Sequence, residues 1–402
     1  METQAAATPR NILRRVPDQL ASERAALETE LIETRRALHR QPELAFAEHR
    51  TAELVARRLS ALGLEPRTGV GGTGVIADID GIRPGPTLLL RADMDALPLD
   101  EVPGREYGSE VPGHMHACGH DAHTSALLGA AALLAARTDA LSGRVRLLFQ
   151  PAEEIGAGAN AVIADGGLDG VDEALAAHVF SPIPFGVVGT RTGEMMVGLD
   201  VFELAVEGGG GHSGIAHQSR DAVFAAAQLV TALQSIPARE TSPADTLVLT
   251  VASIQGGTAA NVVAGTVTLR GTLRWLDPGV RERALTRMQQ IADGVCGALR
   301  VSAELRIQAT VPVLRCSETS SVLLADVSAA AGSTVIDPGV IPASEDFAQL
   351  AERVPAGFIV IGAGGEGCGA HHAPDFDIDE RSIGVTAEVL ARAALARLHS
   401  ST

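Results

Sequence analysis

Val145-Arg146-Leu147-Leu148-Phe149-Gln150-Pro151-Ala152-Glu153-Glu154 begins as a short apolar run and stops at a proline followed by twin acids. An apolar run of this length, bounded by a breaker, reads as a buried strand. Glu153 and Glu154 then lie at its carboxyl end, where open α/β sheets bind their ligands. The pattern recurs on both sides. Apolar runs at Val75–Ile79, Thr87–Leu90, Glu173–Ala177 and Gly357–Ile361 alternate with helical spacing at Gln19–Leu38, Glu48–Leu62, Ala122–Ala136, Ala159–Ala164, Ser320–Ala331 and Glu380–Leu398. Such alternation predicts an α/β fold with a mainly parallel sheet.

Between Val197 and Thr310 the rhythm changes. A strand (Asp200–Val206), a helix (Asp221–Leu233), two strands (Thr246–Ile254 and Val262–Trp275), a helix (Val280–Leu299) and a strand (Val301–Ile307) follow one another. This β-α-β-β-α-β order is that of a ferredoxin-like α+β domain. The expected organisation is a first domain of residues 18–196 and 311–402, interrupted by an inserted domain of residues 197–310. Residues 1–17 are expected to form a poorly ordered lead-in.

Composition removes several classes of function. With 402 residues the chain is long enough for two or three domains. Acidic residues outnumber basic ones 49 to 32, and only 3% of residues are aromatic, so neither phosphate neutralisation nor base stacking is provided for and no nucleic-acid partner is expected. There is no lysine, which excludes Schiff-base chemistry and a Walker-type phosphate loop. The longest apolar stretch, Ser125–Ala136, is too short to span a bilayer, and no leader with a cleavage site is seen. Four scattered cysteines, Cys118, Cys296, Cys316 and Cys368, suit a reducing compartment, so a cytoplasmic location is expected. Two G-x-G-x-x-G strings, Gly69–Gly74 and Gly362–Gly367, lack the strand-to-helix context of a dinucleotide site and read as turns. Neither a G-x-S-x-G elbow nor an H-E-x-x-H helix is present.

Chemistry concentrates in Gly113-His114-Met115-His116-Ala117-Cys118-Gly119-His120-Asp121-Ala122-His123, just ahead of a helix rich in small residues. Four histidines, a cysteine and an aspartate within eleven residues place thiolate and imidazole donors near one point. One such histidine would read as a satisfied helix-start residue; this density points to a metal. Other strand ends supply more donors: Asp93 and Asp95, the pair Glu153-Glu154, His178, and His371-His372. Asp, Glu and His delivered by several strands to one rim of a sheet favour a metal centre.

The strings Arg91-Ala92-Asp93-Met94-Asp95-Ala96-Leu97-Pro98, Met115–Asp121, Gln150–Glu154, Ser344-Glu345-Asp346-Phe347 and His372-Ala373-Pro374-Asp375-Phe376 resemble those of the dinuclear-metal amidohydrolases. That family includes hippurate hydrolase, indoleacetyl-amino-acid hydrolases and N-acyl-amino-acid deacylases, and is related to aminoacylases and metallo-carboxypeptidases. The resemblance runs from about Leu38 to Asp379. It implies a zinc-peptidase-like catalytic domain and an inserted lid that pairs subunits into a homodimer. It also implies hydrolysis of the amide bond of an N-acyl amino acid by water activated on two divalent ions of zinc, manganese, cobalt or nickel type.

Carried onto this sequence, the resemblance implies Cys118, His120, Glu154, His178 and His372 as metal ligands, Cys118 standing where relatives use a bridging aspartate. Glu153 corresponds to the general base and acid. His212, in Gly209-Gly210-Gly211-His212-Ser213, corresponds to a histidine that reaches the partner subunit's site and holds the oxyanion. Ser213–His217 departs from the usual loop pattern. Asn261 and Arg274 are implied substrate contacts, a guanidinium being suited to a carboxylate. Asp95 and Glu345 are implied to orient ligating imidazoles. Two other functions compete: a cysteine hydrolase with Cys118 as nucleophile and His120 or His123 as base, and a non-catalytic small-molecule binding protein of the same fold.

Overall fold

The computed structural model describes residues 19–399; the lead-in expected over residues 1–17 lies outside them. In chain order the first elements are α1 (Leu20–Arg40), α2 (His49–Ala61), β1 (Arg67–Val70), β2 (Gly74–Asp80), β3 (Arg83–Asp93), α3 (His120–Ala135), β4 (Ser142–Gln150), α4 (Gly158–Ala164), β5 (Glu173–Pro184), β6 (Val187–Gly189) and β7 (Gly193–Met196). There follow β8 (Gly198–Glu207), β9 (Gly211–His212), α5 (Ala222–Leu233), β10 (Leu247–Gly256), β11 (Val262–Val263), β12 (Thr266–Trp275), α6 (Pro278–Ala298) and β13 (Ser302–Val311). The chain closes with β14 (Leu314–Cys316), α7 (Glu318–Ala330), β15 (Thr334–Ile336), α8 (Ala348–Ala351), β16 (Ala356–Gly364) and α9 (Arg381–Arg397). Two compact units result. One holds the chain up to Met195, Leu314–Ile341 and the chain from Glu345 onward; the other holds Met196–Val313 and Pro342–Ser344.

In the first unit an eight-stranded sheet runs β1-β2-β4-β3-β5-β16-β6-β15. Its centre, β4-β3-β5-β16, is parallel, and the pairs β1–β2, β2–β4 and β16–β6 are antiparallel. The α/β expectation therefore holds, with antiparallel strands at the margins. These marginal strands are short or joined by tight turns, and β1, β6, β7, β14 and β15 carry too few apolar residues for a periodicity to register. The buried apolar runs of β3, β4, β5 and β16 face helices on the sheet, as parallel strands require. α3 is the central helix: it packs on α1 and α9, and nearly all its residues are buried. Its close approach depends on Gly129, where a Cβ would lie 2.8 Å from Leu31 Cδ1 and 2.9 Å from Ala387 Cβ.

The second unit has the expected ferredoxin-like pattern: an antiparallel sheet β10-β12-β8-β13 packed on α5 and α6 around Phe202, Leu204, Leu229, Leu269 and Met288. Both helices start on aspartates: Asp221 accepts from Val223 N and Phe224 N, and Asp277 accepts from Val280 N ahead of Pro278. One difference from expectation is that Val262–Trp275 is not a single strand. It breaks at Ala264-Gly265, because β11 pairs with β9 and the Gly265 carbonyl accepts from Gly208 N and Gly209 N. Among the described residues no helix is long and apolar enough to cross a membrane.

Candidate metal centre

Register in the first sheet decides what meets at its carboxyl rim. Asp93, at the end of β3, is level with Gln150, at the end of β4. Arg91 pairs with Ala176, two residues before Asp93 and His178 respectively. α3 begins just above this rim. Gly119 precedes it at φ +90°, and a Cβ there would lie 2.5 Å from Val179 Cγ2, so the turn into the helix requires glycine. The turn presents Cys118 and His120 from either side of one residue. Asp121, the next residue, anchors the helix start: it accepts from Arg35 Nε at 2.9 Å and pairs with His39 Nδ1 at 2.7 Å. Arg35 continues to Asp377 and Glu380.

The acid pair is aimed by its own backbone. Ala152 adopts φ +53°, a left-handed conformation that a non-glycine residue holds only under constraint. That constraint is a pair of buried carboxylates. Glu48 Oε1 accepts from Ala152 N at 2.8 Å, while Asp95 Oδ1 and Oδ2 accept from Glu153 N and Glu154 N at 3.0 Å each. Glu48 also accepts from Thr73 Oγ1. Three successive N–H groups are thus captured, and both acid side chains turn toward the rim. Asp95 lies in addition 3.4 Å from His120 Nδ1.

The donors named from sequence converge. His178 donates from Nδ1 to Val179 O at 2.6 Å, which leaves the Nε2 lone pair 3.5 Å from Cys118 Sγ. His372, held at φ +61° with its N–H on Ala117 O, places Nε2 3.5 Å from Glu154 Oε2. His120 Nε2 lies 3.9 Å from Glu154 Oε1 and 4.0 Å from Glu153 Oε2. Cys118, His120 and His178 offer ligand atoms all within 4.8 Å of one another, and so do Cys118, Glu154 and His372. Cys118 is common to both groups.

His123 has a different role. Its Nε2 accepts from Val179 N at 2.8 Å and its Nδ1 donates to Asp93 Oδ1 at 2.6 Å, so both ring nitrogens are committed. Glu345, close to Glu153 and Asp346, lies against Arg91 Nη2 and the Phe347 N–H. Arg91 also binds Asp93, Asp346 and Gln150. This arginine and Glu48 were not singled out from sequence. A charged residue inside the apolar run of β3 was the available signal for Arg91; Glu48 had none.

Electrostatics at the rim follow from crowding of acids away from water. Burial, then Glu345, Glu154 and Asp346, hold the Glu153 carboxyl well above the usual range. Glu154 and Asp346 are each pushed up to about 7, chiefly by burial. Burial and Glu154 raise the Cys118 thiol. Burial opposes a proton on His120, but Asp93 and Cys118 overcome it and raise its pKa, whereas burial beside His123 and His371 keeps His178 neutral. Both ring nitrogens of His120 and Oε1 of Glu154 are buried without a hydrogen-bond partner. Orphaned donor atoms among acids that cannot all ionise together suit divalent cations, and a set of thiol, imidazole and carboxylate groups is the right chemistry for them.

His212, Asn261 and Arg274 belong to the other unit. His212 lies exposed on β9, paired with Val262. Its Nδ1 accepts from Gly214 N at 3.0 Å, so the ring hydrogen sits on Nε2. Asn261 is exposed, and its carbonyl accepts from Ser213 N. Arg274, on β12, donates to Ser344 Oγ at 3.0 Å.

The chain is 42% identical to the N-acetyl-L-cysteine deacetylase of Bacillus subtilis (strain 168), over 89% of this chain and 86% of that one. It is 36% identical to thermostable carboxypeptidase 2 of Saccharolobus solfataricus, over 94% of this chain and 98% of that one. Among solved structures it resembles the Bacillus subtilis YXEP protein, described as a dinuclear metal binding peptidase from the M20 family. The TM-score is 0.80 at 33% identity, covering 93% of this chain and 99% of that one. The model of peptidase family M20/M25/M40 matches residues 89–396, and the chain belongs to that family.

Proposed function

We propose that this chain hydrolyses the amide bond of N-acyl amino acids, with Glu153 carrying the proton and two divalent cations held by Cys118, His120, Glu154, His178 and His372. The observation that carries it is the pair of donor triads sharing Cys118, with a second acid, Glu153, beside them within reach of His120 and Glu154. When bound, two such cations supply Lewis acidity that lowers the pKa of water and polarises a carbonyl. Thiolate, imidazole and carboxylate together admit zinc, manganese, cobalt or nickel. Glu153 takes the proton of the attacking water on its carboxylate and returns it to the leaving amine nitrogen, so one group serves both halves of the reaction. Its neighbours keep it buried and basic, while the Asp95 carboxylate fixes the backbone from which it projects. N-acetyl-L-cysteine and a carboxypeptidase substrate share an amide whose leaving amine carries a carboxylate, which supports that substrate class.

The first unit acts as the catalytic body and the second as a lid that pairs subunits. Support for pairing comes from β10, an edge strand with exposed Val248 and Ile254, and from Val223 and Phe224 exposed on α5. His212, exposed and with its ring hydrogen on Nε2, is the oxyanion donor offered to the partner subunit, and Asn261 and Arg274 contact the substrate. The four cysteines are unpaired, which supports a reducing, cytoplasmic compartment.

A thiol nucleophile fits poorly. The Cys118 thiol is held above its usual range rather than activated, and His123 has no nitrogen left to serve as base. The decisive experiment is Glu153→Gln in metal-loaded protein assayed on a panel of acyl amino acids. Turnover falls by about 10²–10⁴-fold while metal content stays unchanged. Wild-type turnover in that variant, or activity that survives a chelator and yields to thiol alkylation, overturns the mechanism.

A further inference from the structure

The vicinal histidines His371 and His372 are adjacent in sequence but take separate tasks. His372 turns toward Glu154. His371 turns the other way: its Nε2 accepts from Ser181 N at 3.1 Å, so the ring hydrogen resides on Nδ1, and Nδ1 lies 3.8 Å from Cys118 Sγ. The ring has little freedom to leave this position. It stacks on Phe180, with centroids 5.3 Å apart and planes 27° apart, and it meets buried Phe376 at 4.8 Å. Backbone donor, aromatic walls and sulfur thus define a single tautomer and a single orientation.

We propose that His371 is a positioning residue: it donates its Nδ1 hydrogen to Cys118 Sγ and holds the sulfur in the one orientation that faces both donor triads. The inference rests on Cys118 being a ligand shared by two cations. A thiolate sulfur has three lone pairs. Two directions serve His120 and His178 on one side and Glu154 and His372 on the other; the third accepts the imidazole N–H. That donor draws electron density from the sulfur and keeps it from rotating about its Cα–Cβ bond into a position terminal to one triad. The general need of metal sites for such outer hydrogen bonds is well founded.

The test uses full-length protein loaded with cobalt(II), in which a cysteine ligand gives a sulfur-to-cobalt charge-transfer band in the near ultraviolet. The wild-type band, and its loss in Cys118→Ser, establish the sulfur as a ligand. His371→Leu removes the donor and keeps the bulk, and the band then moves to longer wavelength with two cobalt ions per chain retained. His371→Asn restores an N–H at the position of Nδ1, and the band returns toward that of the wild type. An unmoved band in His371→Leu, or equal shifts in the Leu and Asn variants, overturns the proposal. If His371→Leu loses cobalt, His371→Asn decides: a wild-type band with two cobalt ions upholds the role of the N–H, and joint loss overturns it. A wild-type protein without the band overturns the ligand assignment of Cys118 itself, and with it this inference.

Discussion

Replacing Arg91 by methionine tests whether the carboxylates around the rim are held by charge. The guanidinium is 1% exposed and carries three ion pairs, to Asp93 at 2.6 Å and to Asp346 and Glu345 at 2.9 Å, with Nε on Gln150 at 3.0 Å. Methionine keeps the stem but takes the guanidinium from three buried acids, of which Asp93 still has His123 at 2.6 Å and His120 at 3.8 Å. Removing one partner of a buried pair costs about 3–5 kcal/mol. At about 2–4 °C per kcal/mol for a unit of this size, metal-free protein should melt roughly 6–20 °C lower. The penalty depends on pH in a definite direction. Asp346 already sits at about 7 with Arg91 present, and a carboxyl whose folded pKa is raised loses stability as pH rises through that value. The gap between variant and wild type is therefore wider at pH 8 than at pH 5. Scanning calorimetry in chelator at both pH values measures it. Melting within about 2 °C of wild type at both would refute the argument that this arginine neutralises the cluster. Arg91→Lys should fall between, because a single ammonium cannot form the planar fork that reaches Gln150, Asp93 and Asp346 together.

Two further outcomes follow from other buried groups, His39 and Glu48. His39 bridges Asp121 and Glu101; burial opposes its proton, but the two carboxylates win and its pKa is raised. Its contribution is then fully present below about pH 6.5 and is lost as pH rises through the higher folded value, so the melting gap between wild type and His39→Gln should shrink steadily on going from pH 6 to pH 9; a gap that widens would reverse the assignment. Glu48→Ala leaves the Ala152 N–H and Thr73 Oγ1 without their acceptor, at about 1–3 kcal/mol, and frees the turn that aims Glu153. Measured kcat should fall further than stability alone accounts for, with Glu48→Gln, which retains one carbonyl oxygen, intermediate between Ala and wild type.

Much of the fold was legible because its signals are local. Parallel core strands announce themselves as unbroken apolar runs such as Thr87–Leu90 and Gly357–Ile361, and the switch to a β-α-β-β-α-β order marked the second unit. Strands such as β6, β14 and β15 were not legible, since three residues carry no period and their existence depends on partners far along the chain. The break at Ala264-Gly265 had a similar cause: β11 is drawn away from β12 by pairing with Gly211–His212, a contact some fifty residues distant.

At the site, residue type told which side chains could bind a metal but not which ones do so. His120 and His123 lie three residues apart on one helix and residue type alone does not rank them; only the family resemblance singled out His120. Tertiary hydrogen bonds separate them: Asp93 and the Val179 N–H occupy both nitrogens of His123, whereas neither nitrogen of His120 is hydrogen-bonded and Nδ1 faces Asp95 at 3.4 Å. His371 and His372 are divided in the same way, by a Ser181 N–H on one ring and a left-handed backbone at the other. His123 is the structural member of the first pair because its lone pair already has a proton to accept. Vacant lone pairs facing acids and sulfur therefore identify the ligands better than the density of histidines does. By that criterion the centre contains His120 and His178, whose Nδ1 hydrogen goes to the Val179 carbonyl and whose Nε2 faces Cys118.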